Sequence, residues 1–211
     1  MRSKITIPTG LYGITGEAFS NGKSNLQCVE SMIKAGIKII QYREKDKPLR
    51  DKINDIKKIR ELCRENEVLF IINDHVDMAI LVDADGVHVG QEDMHPSDVR
   101  QLIGPDKIIG LSTHSQEEGL ASLEEDIDYI GVGPIFPTTT KDRKAVGLDY
   151  LDFAVKNLDI PFVAIGGIKE HNIEKIIKAG ADRICLVSEV IGAQDIAKKV
   201  QRLNEIVEKK D

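Results

Sequence analysis

The stretch Ile37-Lys38-Ile39-Ile40-Gln41-Tyr42-Arg43-Glu44-Lys45 begins as an apolar strand and ends with cations. In a β-strand, residues two positions apart share a face. One face therefore carries, in order, Ile37, Ile39, Gln41, Arg43 and Lys45. A buried strand gains no stability from two cations on one face, because an unpaired buried charge is costly. We interpret the cationic end as a site for a polyanion; the alternative is a strand end that emerges into solvent with basic residues on it.

The whole chain has the composition of a globular protein. Its residues are 41% hydrophobic and 30% charged, which is ordinary for such a protein. The length of 211 residues predicts a single domain over residues 1–211. No apolar stretch approaches the roughly 18 residues that span a membrane, and the first residues lack the apolar core of a signal peptide. We therefore expect a cytoplasmic protein with no membrane partner. The formal net charge of −6 argues against a nucleic-acid partner.

Cys28, Cys63 and Cys185 form an odd, widely spaced set without a CxxC pair. This pattern predicts reduced thiols rather than disulfides or a zinc site. Cys185 lies inside a predicted strand, where we expect it to belong to the core.

Short apolar runs rich in Ile and Val alternate with longer amphipathic stretches along the chain. The runs predict strands at residues 11–15, 37–42, 69–73, 86–89, 108–112, 129–132, 162–165 and 184–187. The stretches between them predict helices at 26–35, 49–65, 97–103, 117–123, 150–155, 173–179 and 196–209. This alternation predicts a parallel sheet with helices outside it.

An open doubly wound sheet competes with a barrel for this pattern, but eight units in about 200 residues match a compact (β/α)8 barrel. We therefore predict an α/β fold, a single (β/α)8 TIM barrel. In either architecture, ligands collect at the carboxyl ends of the strands. Polar and glycine-rich residues should then follow the strands.

Polar residues do follow the predicted strands. They include Gln41, Arg43, Lys45, Asn73, Asp74, Asp93, Ser112, the segment 133–141, and Ser188. This set of cations, carboxylates, amides and hydroxyls suits phosphate groups together with a divalent metal. Asp74 and Asp93 follow adjacent strands, and Mg²⁺ takes one or two protein carboxylates and completes its shell with water and phosphate oxygens. For either aspartate alone, a helix cap is the plainer interpretation.

Gly166-Gly167 after the seventh predicted strand and Ser188 after the eighth match the phosphate site that recurs in barrels. A tight strand–helix turn would also use two glycines. The loop after the sixth strand contains Pro134 and Pro137, and a run of threonines and Lys141 follows. We interpret this donor cluster as functional, because it lies at the predicted mouth and ends in a cation; an exposed loop is the alternative.

The histidines do not form a constellation. His75, His88, His95, His114 and His171 show no metal-ligand spacing and adjoin no nucleophile motif. His88 alternates with Gly86 and Gly90, which favours a hydrogen-bonded histidine inside the barrel over a catalytic base.

Several of these motifs, taken in order, resemble the thiamine phosphate synthase family. They are 41–45 (QYREK), 73–74 (ND), 86–93 (GVHVGQED), 133–141 (GPIFPTTTK), 164–168 (AIGGI) and 187–188 (VS). The resemblance covers nearly the whole chain. It implies a transferase that condenses a hydroxymethylpyrimidine diphosphate with a thiazole phosphate, in many cases carboxylated, to give thiamine phosphate and pyrophosphate with Mg²⁺.

The resemblance also implies roles for matching positions. For the pyrimidine diphosphate it implies Gln41, Tyr42, Arg43, Glu44, Lys45, Asn73, Ser112 and Lys141, with Arg43, Lys45, Ser112 and Lys141 as catalytic residues. For the thiazole phosphate it implies Thr138, Thr139, Thr140, Gly167, Val187 and Ser188. For Mg²⁺ it implies Asp74 and Asp93.

Two other functions stay open at the level of sequence. A thiazole tautomerase on the same fold would use a histidine in the loop after the sixth strand, where this chain has Pro134. A non-catalytic sensor of phosphate ligands would need neither Asp74 nor Asp93. A homodimer is also compatible with the sequence.

Overall fold

One parallel sheet organises the computed structural model, which describes residues 6–140 and 143–209. Its strands in the described chain are β1 (Gly10–Leu11), β2 (Gly13–Ile14), β3 (Ile39–Tyr42), β4 (Leu69–Asn73), β5 (Gly86–Val89), β6 (Ile108–Thr113), β7 (Tyr129–Val132), β8 (Phe162–Ile165) and β9 (Arg183–Cys185). They pair in the order β1-β9-β8-β7-β6-β5-β4-β3-β2. Tyr12 alone separates β1 from β2, so the sheet begins and ends in the same stretch of chain and closes. The predicted barrel is confirmed.

Helices connect the strands on the outside of the barrel. They are α1 (Asn25–Lys34), α2 (Leu49–Glu65), α3 (Val76–Leu81), α4 (Pro96–Ile103), α5 (Gln116–Ala121), α6 (Gly147–Asn157), α7 (Ile173–Lys178), α8 (Val187–Ile191) and α9 (Ile196–Glu208). All seven predicted helices are present. The short helices α3 and α8, of six and five residues, were not predicted. The last predicted strand was placed too late: β9 ends at Cys185, and Val187 begins α8.

Two separate apolar cores hold these layers together. The core inside the barrel contains Ile39, Ile71, Ile108, Tyr129 and Cys185, among others. The larger core lies between the sheet and the helices. Successive strand residues alternate between the two cores, because strand side chains point to opposite faces of the sheet. Burial of an aliphatic side chain contributes about 1.5–3 kcal/mol, so the alternation fixes which residues reach the barrel interior.

The alternation on β3 corrects one sequence prediction. Ile39 belongs to the inner core as predicted, but Ile37 packs in the outer core, because the strand begins only at Ile39. The strand also ends at Tyr42, so the predicted cationic face does not extend as a strand to Lys45, which is exposed.

Every cysteine of the chain is buried and unbridged, as predicted. Burial in the inner core raises the pKa of the Cys185 thiol. In the parts of the chain that the structure describes, no helix combines the length and apolar character needed to cross a bilayer.

Candidate active site

Two adjoining cavities open at the carboxyl ends of the strands. The inner cavity descends to Tyr12 and Tyr129 in the barrel interior, and its wall includes Gln41, Arg43, Asn73, His88 and Ser112. The outer cavity lies between the segment 137–140 and the ends of β8 and β9, and its wall includes Gly167, Lys169 and Ser188. The two cavities share the wall residues Thr138, Thr140, Ile165, Gly166 and Val187. The mouth is therefore divided into two neighbouring compartments.

Arg43 brings an unsatisfied donor to the inner cavity. Its backbone is fixed by Thr15, whose hydroxyl oxygen accepts the Arg43 N–H at 2.9 Å and donates to the Arg43 carbonyl at 3.3 Å. The Nε atom of the Arg43 guanidinium is buried and has no hydrogen-bond partner among the described residues. Buried polar atoms are nearly always paired in folded proteins, so an orphaned guanidinium N–H at a cavity indicates an anionic ligand.

A chain of hydrogen bonds crosses the floor of the inner cavity. Gln41 Nε2 donates to Tyr12 Oη at 3.1 Å, and Tyr12 Oη lies 2.8 Å from Tyr129 Oη. His88 Nδ1 lies 2.9 Å from Tyr129 Oη, and His88 Nε2 lies 2.9 Å from Ser112 Oγ. All five side chains are buried. This confirms the prediction that His88 is a hydrogen-bonded histidine inside the barrel.

Gly110 on β6 makes room for the centre of this chain. A Cβ at position 110 would lie 2.3 Å from Tyr129 Cζ and 2.4 Å from His88 Nδ1. Any side chain there would therefore push the imidazole and the phenol apart. Burial raises the pKa of both Tyr12 and Tyr129, so each hydroxyl keeps its proton and can donate it.

Backbone geometry forms the outer cavity. Gly166 and Gly167 have φ angles of 98° and 63°, in the left-handed region that favours glycine. A Cβ on Gly167 would lie 2.5 Å from the carbonyl oxygen of Pro137, so the loop and the strand end approach too closely for any other residue. Asn172 stabilises the turn, because its Nδ2 donates to the Gly167 carbonyl at 3.1 Å and its Oδ1 accepts the Lys169 N–H at 2.7 Å. The result is an unshielded stretch of backbone beside Ser188.

Two threonines form the boundary between the cavities. The Thr138 and Thr140 hydroxyl oxygens lie 2.8 Å apart, and Thr138 Oγ1 accepts the Thr140 N–H at 3.2 Å. Thr139, which lies between them in sequence, lines the outer cavity but not the inner one. All six residues predicted for the thiazole phosphate, from Thr138 to Ser188, line the outer cavity.

Sequence reasoning missed a cation in the outer cavity. Lys169 Nζ donates to Ser188 Oγ at 2.9 Å and lies 3.5 Å from Glu189 Oε2. A single lysine after a strand is common on protein surfaces. Its position two residues after Gly167 was the signal that could have identified it.

The two predicted metal ligands lie on the loops that follow β4 and β5. Asp74 has a φ of 62°, and its N–H donates to the His88 carbonyl at 2.9 Å. Asp93 Oδ2 accepts the Gly90 N–H at 2.7 Å. Neither aspartate lines either cavity. Within residues 6–140 and 143–209, no group of three His, Cys, Asp or Glu side chains could hold a metal ion. Two carboxylates still fit Mg²⁺, which takes few protein ligands when phosphate oxygens complete its shell.

Three predicted ligands of the pyrimidine diphosphate do not line the cavities. The Tyr42 side chain packs in the outer core and its hydroxyl donates to Asp55 Oδ2 at 3.3 Å. Glu44 accepts the Glu17 N–H at 3.0 Å and the Asn25 Nδ2–H at 3.1 Å. Lys45 is exposed. Tyr42 is opposite in strand parity to Gln41, which explains its outward direction. Lys141 lies outside the described residues.

A closed barrel with anion-binding groups at the carboxyl ends of its strands defines the class of barrel enzymes that act on phosphorylated small molecules. The model of the family described as Thiamine monophosphate synthase matches residues 11–190. The chain belongs to this family and is an enzyme, as the sequence motifs predicted.

Individual relatives agree with the family assignment. The thiamine-phosphate synthase of Pelotomaculum thermopropionicum is 55% identical over 95% of this chain and 93% of its own length. That of Caldicellulosiruptor saccharolyticus is 48% identical over 93% of this chain and 90% of its own. The solved structure of thiamine phosphate pyrophosphorylase from Pyrococcus furiosus superposes with a TM-score of 0.86 at 39% identity, and the match covers 94% of this chain and 95% of that one.

Proposed function

We propose that the inner cavity binds an aminopyrimidine whose methylene carries a diphosphate, and that the outer cavity binds a thiazole phosphate. The enzyme joins the two into thiamine phosphate and releases pyrophosphate. The observation that carries this proposal is the shared wall of the two cavities, formed by Thr138, Thr140 and Gly166 among others. Because the two cavities adjoin along these shared lining residues, two substrates held in them lie side by side and can react without leaving their own sites, which removes most of the entropic cost of their encounter.

The diphosphate is the group that fits the cationic side of the inner cavity. The buried Arg43 Nε–H needs an acceptor, and Asn73 offers an amide beside it in the same wall. Lys45 is exposed and has no described partner for its ammonium group, so it is available to an anion at the mouth. Lys141, by its match to the family motif, would add a further cation. Fixed cations stabilise the charge that develops on the departing diphosphate.

The reaction needs charge stabilisation more than proton transfer. The C–O bond between the pyrimidine methylene and the diphosphate breaks, and its electron pair leaves with pyrophosphate. The aminopyrimidine ring delocalises the resulting cation. The thiazole ring nitrogen then uses its lone pair to form the new C–N bond, so no general base is needed at the nucleophile. This agrees with a site of cations, amides and hydroxyls.

Mg²⁺ fits this site as a partner of the diphosphate. Asp74 and Asp93 would hold it from the loops after β4 and β5, and it would neutralise part of the charge on the leaving group. Because Asp93 Oδ2 already accepts the Gly90 N–H, its position is fixed before any ion binds.

The thiazole phosphate fits the outer cavity. Its phosphate would lie against the unshielded backbone at Gly167 and the Ser188 hydroxyl, with Val187 beside the ring and the Thr138–Thr140 segment on the other side. Lys169 is placed to add a charge-assisted hydrogen bond through its ammonium group, which now contacts Ser188.

Incubation of the enzyme with both phosphorylated halves tests the proposal. Thiamine phosphate and pyrophosphate should form in equal amounts, only when both halves are present, and faster with Mg²⁺. Pyrophosphate release without thiamine phosphate, or no reaction with either thiazole form, would contradict it. A sensor that only binds the thiazole phosphate would release no pyrophosphate. A cytoplasmic location, a homodimer and the absence of a nucleic-acid partner stay predictions.

A further inference from the structure

The hydrogen-bond chain on the floor of the inner cavity has two ends, and both ends line that cavity. One end is the Gln41 amide and the other is the Ser112 hydroxyl. Between them, Tyr12, Tyr129 and His88 contact one another rather than open solvent. A run of five buried polar side chains is expensive unless every proton has an acceptor, so the positions of the protons can be counted.

At one end, Gln41 Nε2 donates to Tyr12 Oη. A phenol has one proton, so Tyr12 must donate to Tyr129 Oη, its other partner in the chain. Tyr129 must then donate its single proton to His88 Nδ1. An imidazole that accepts at Nδ1 carries its proton on Nε2, and that proton goes to Ser112 Oγ.

Groups at both ends of this hydrogen-bond chain have no partner within it. The Ser112 hydroxyl accepts from His88, so its own proton is left to donate into the cavity. The Gln41 Nε2 gives one of its two protons to Tyr12, which fixes the orientation of the amide. The Gln41 Oε1 accepts no hydrogen bond from the described residues and is left as an acceptor, with the second Nε2 proton as a further donor. The reversed direction needs the opposite orientation of the Gln41 amide and places the His88 proton on Nδ1. The tautomer of His88 therefore reports the direction of the chain.

We propose that Tyr12, Tyr129 and His88 are positioning residues that fix Gln41 as an acceptor and Ser112 as a donor towards the ring bound in the inner cavity. This inference rests on the proposed function and deepens it. An aminopyrimidine has an exocyclic N–H that can donate to Gln41 Oε1 and a ring nitrogen that can accept from Ser112. The corresponding oxopyrimidine has a carbonyl and a ring N–H instead, so its pattern is inverted. The hydrogen-bond chain thus selects the amino ring over the oxo ring, although neither tyrosine needs to contact the bound pyrimidine.

The first experiment measures kcat/KM for the aminopyrimidine diphosphate and for its 4-oxo analogue. The parent enzyme should prefer the amino substrate at least about a hundredfold, since a mismatched ring leaves buried groups unpaired. Tyr129→Phe removes the central hydroxyl but keeps the ring, so the preference should fall at least tenfold. The KM for the pyrimidine should rise while the KM for the thiazole phosphate stays unchanged. Tyr12→Phe should act in the same direction.

Tyr150→Phe is the matched control. Tyr150 is also buried, and its hydroxyl donates to Thr113 Oγ1 at 2.6 Å, outside the chain. The Tyr150→Phe variant also loses one buried phenol hydroxyl, so an effect that comes only from the loss of a buried hydrogen bond would appear in this variant as well. An unchanged amino-to-oxo preference in both Tyr12→Phe and Tyr129→Phe, or an equal loss in Tyr150→Phe, would overturn the proposal.

The second experiment does not depend on turnover. The ¹⁵N chemical shifts of His88 in the parent enzyme, assigned with a His88→Gln variant, identify its tautomer. We expect protonation on Nε2 and an unprotonated Nδ1. A proton on Nδ1 would show that the hydrogen bonds run in the opposite direction, and it would overturn the inference even if the enzyme makes thiamine phosphate. Conversely, failure to make thiamine phosphate together with an Nε2–H tautomer would refute the proposed function and leave the direction of the chain intact.

Discussion

The two cavities at the barrel mouth recognise their ligands by different means. The outer cavity is formed largely by backbone at Gly166 and Gly167 and by the threonines of one loop. The inner cavity is formed by side chains from separate strands, such as Gln41, His88 and Ser112, which are joined by hydrogen bonds across the barrel. The outer cavity therefore uses three short segments, 137–140, 165–169 and 185–188, each recognisable by itself in the sequence, whereas the inner cavity takes single residues from many strands. A substitution in one cavity should therefore change the kinetic constants for the substrate bound there and leave those for the other substrate unchanged.

The largest effect is expected in the inner cavity at Arg43. Arg43→Ala removes the cation whose buried Nε–H has no described partner, so turnover should fall at least about a hundredfold. Arg43→Lys keeps the charge but loses the Nε–H, and should recover only part of the loss. Steady-state kinetics with both substrates measure this. Lys178→Ala, a change at an exposed cation on α7, serves as the control and should leave turnover unchanged. Turnover of Arg43→Ala within threefold of the parent would remove Arg43 from the site.

The next effect concerns the metal. Asp93→Ala removes one of the two carboxylates proposed for Mg²⁺, so the Mg²⁺ concentration for half-maximal rate should rise at least about tenfold. A magnesium titration of the initial rate measures the shift. Asp159→Ala, at an exposed position between α6 and β8, should leave the titration unchanged. If the Asp93→Ala titration matches that of the parent, Asp93 is not a metal ligand.

Lys169 tests the outer cavity by itself. Lys169→Ala removes an ammonium group 2.9 Å from Ser188 Oγ, so the KM for the thiazole phosphate should rise about tenfold, as expected for one charge-assisted hydrogen bond. The KM for the pyrimidine diphosphate should not change. Lys175→Ala, on the neighbouring α7, is the control. Equal increases in both KM values would show that the cavities are not separate.

The smallest effect on catalysis is expected at Glu44. Its carboxylate joins the loop after β3 to Glu17 and Asn25, outside both cavities. Glu44→Ala should lower the free energy of unfolding by about 1–2 kcal/mol, while both KM values change less than threefold. Urea denaturation and steady-state kinetics measure the two quantities. A large rise in the KM for the pyrimidine with unchanged stability would return Glu44 to the substrate site.

The same contrast explains what the sequence could predict. The eight-strand alternation and the barrel follow from local patterns, and so do the glycine pair, the threonine run and Ser188 of the outer cavity, because these are visible along the chain. Val187 was implied only by the family resemblance, and Lys169 was missed. Arg43 was also predictable, since a cation is unusual at the end of a buried strand.

The rest of the inner cavity depends on tertiary contacts. Tyr12 and Tyr129 are 117 residues apart, and each alone is typical of an apolar core. Gly110 gives no local sign that it makes room for His88 and Tyr129. Strand parity could have predicted that the Tyr42 side chain points away from the inner cavity, because its neighbours Gln41 and Arg43 line that cavity. A sequence motif alone does not distinguish a residue that lines the cavity from the neighbouring residue that points the other way.

The most direct test of the two-cavity account is a crystal structure with pyrophosphate and Mg²⁺ bound. We expect pyrophosphate in the inner cavity, in contact with the Arg43 guanidinium and the Asn73 amide, with Mg²⁺ between it and the carboxylates of Asp74 and Asp93. Pyrophosphate bound only beside Gly167 and Ser188, with the Arg43 guanidinium directed to bulk water, would contradict the account.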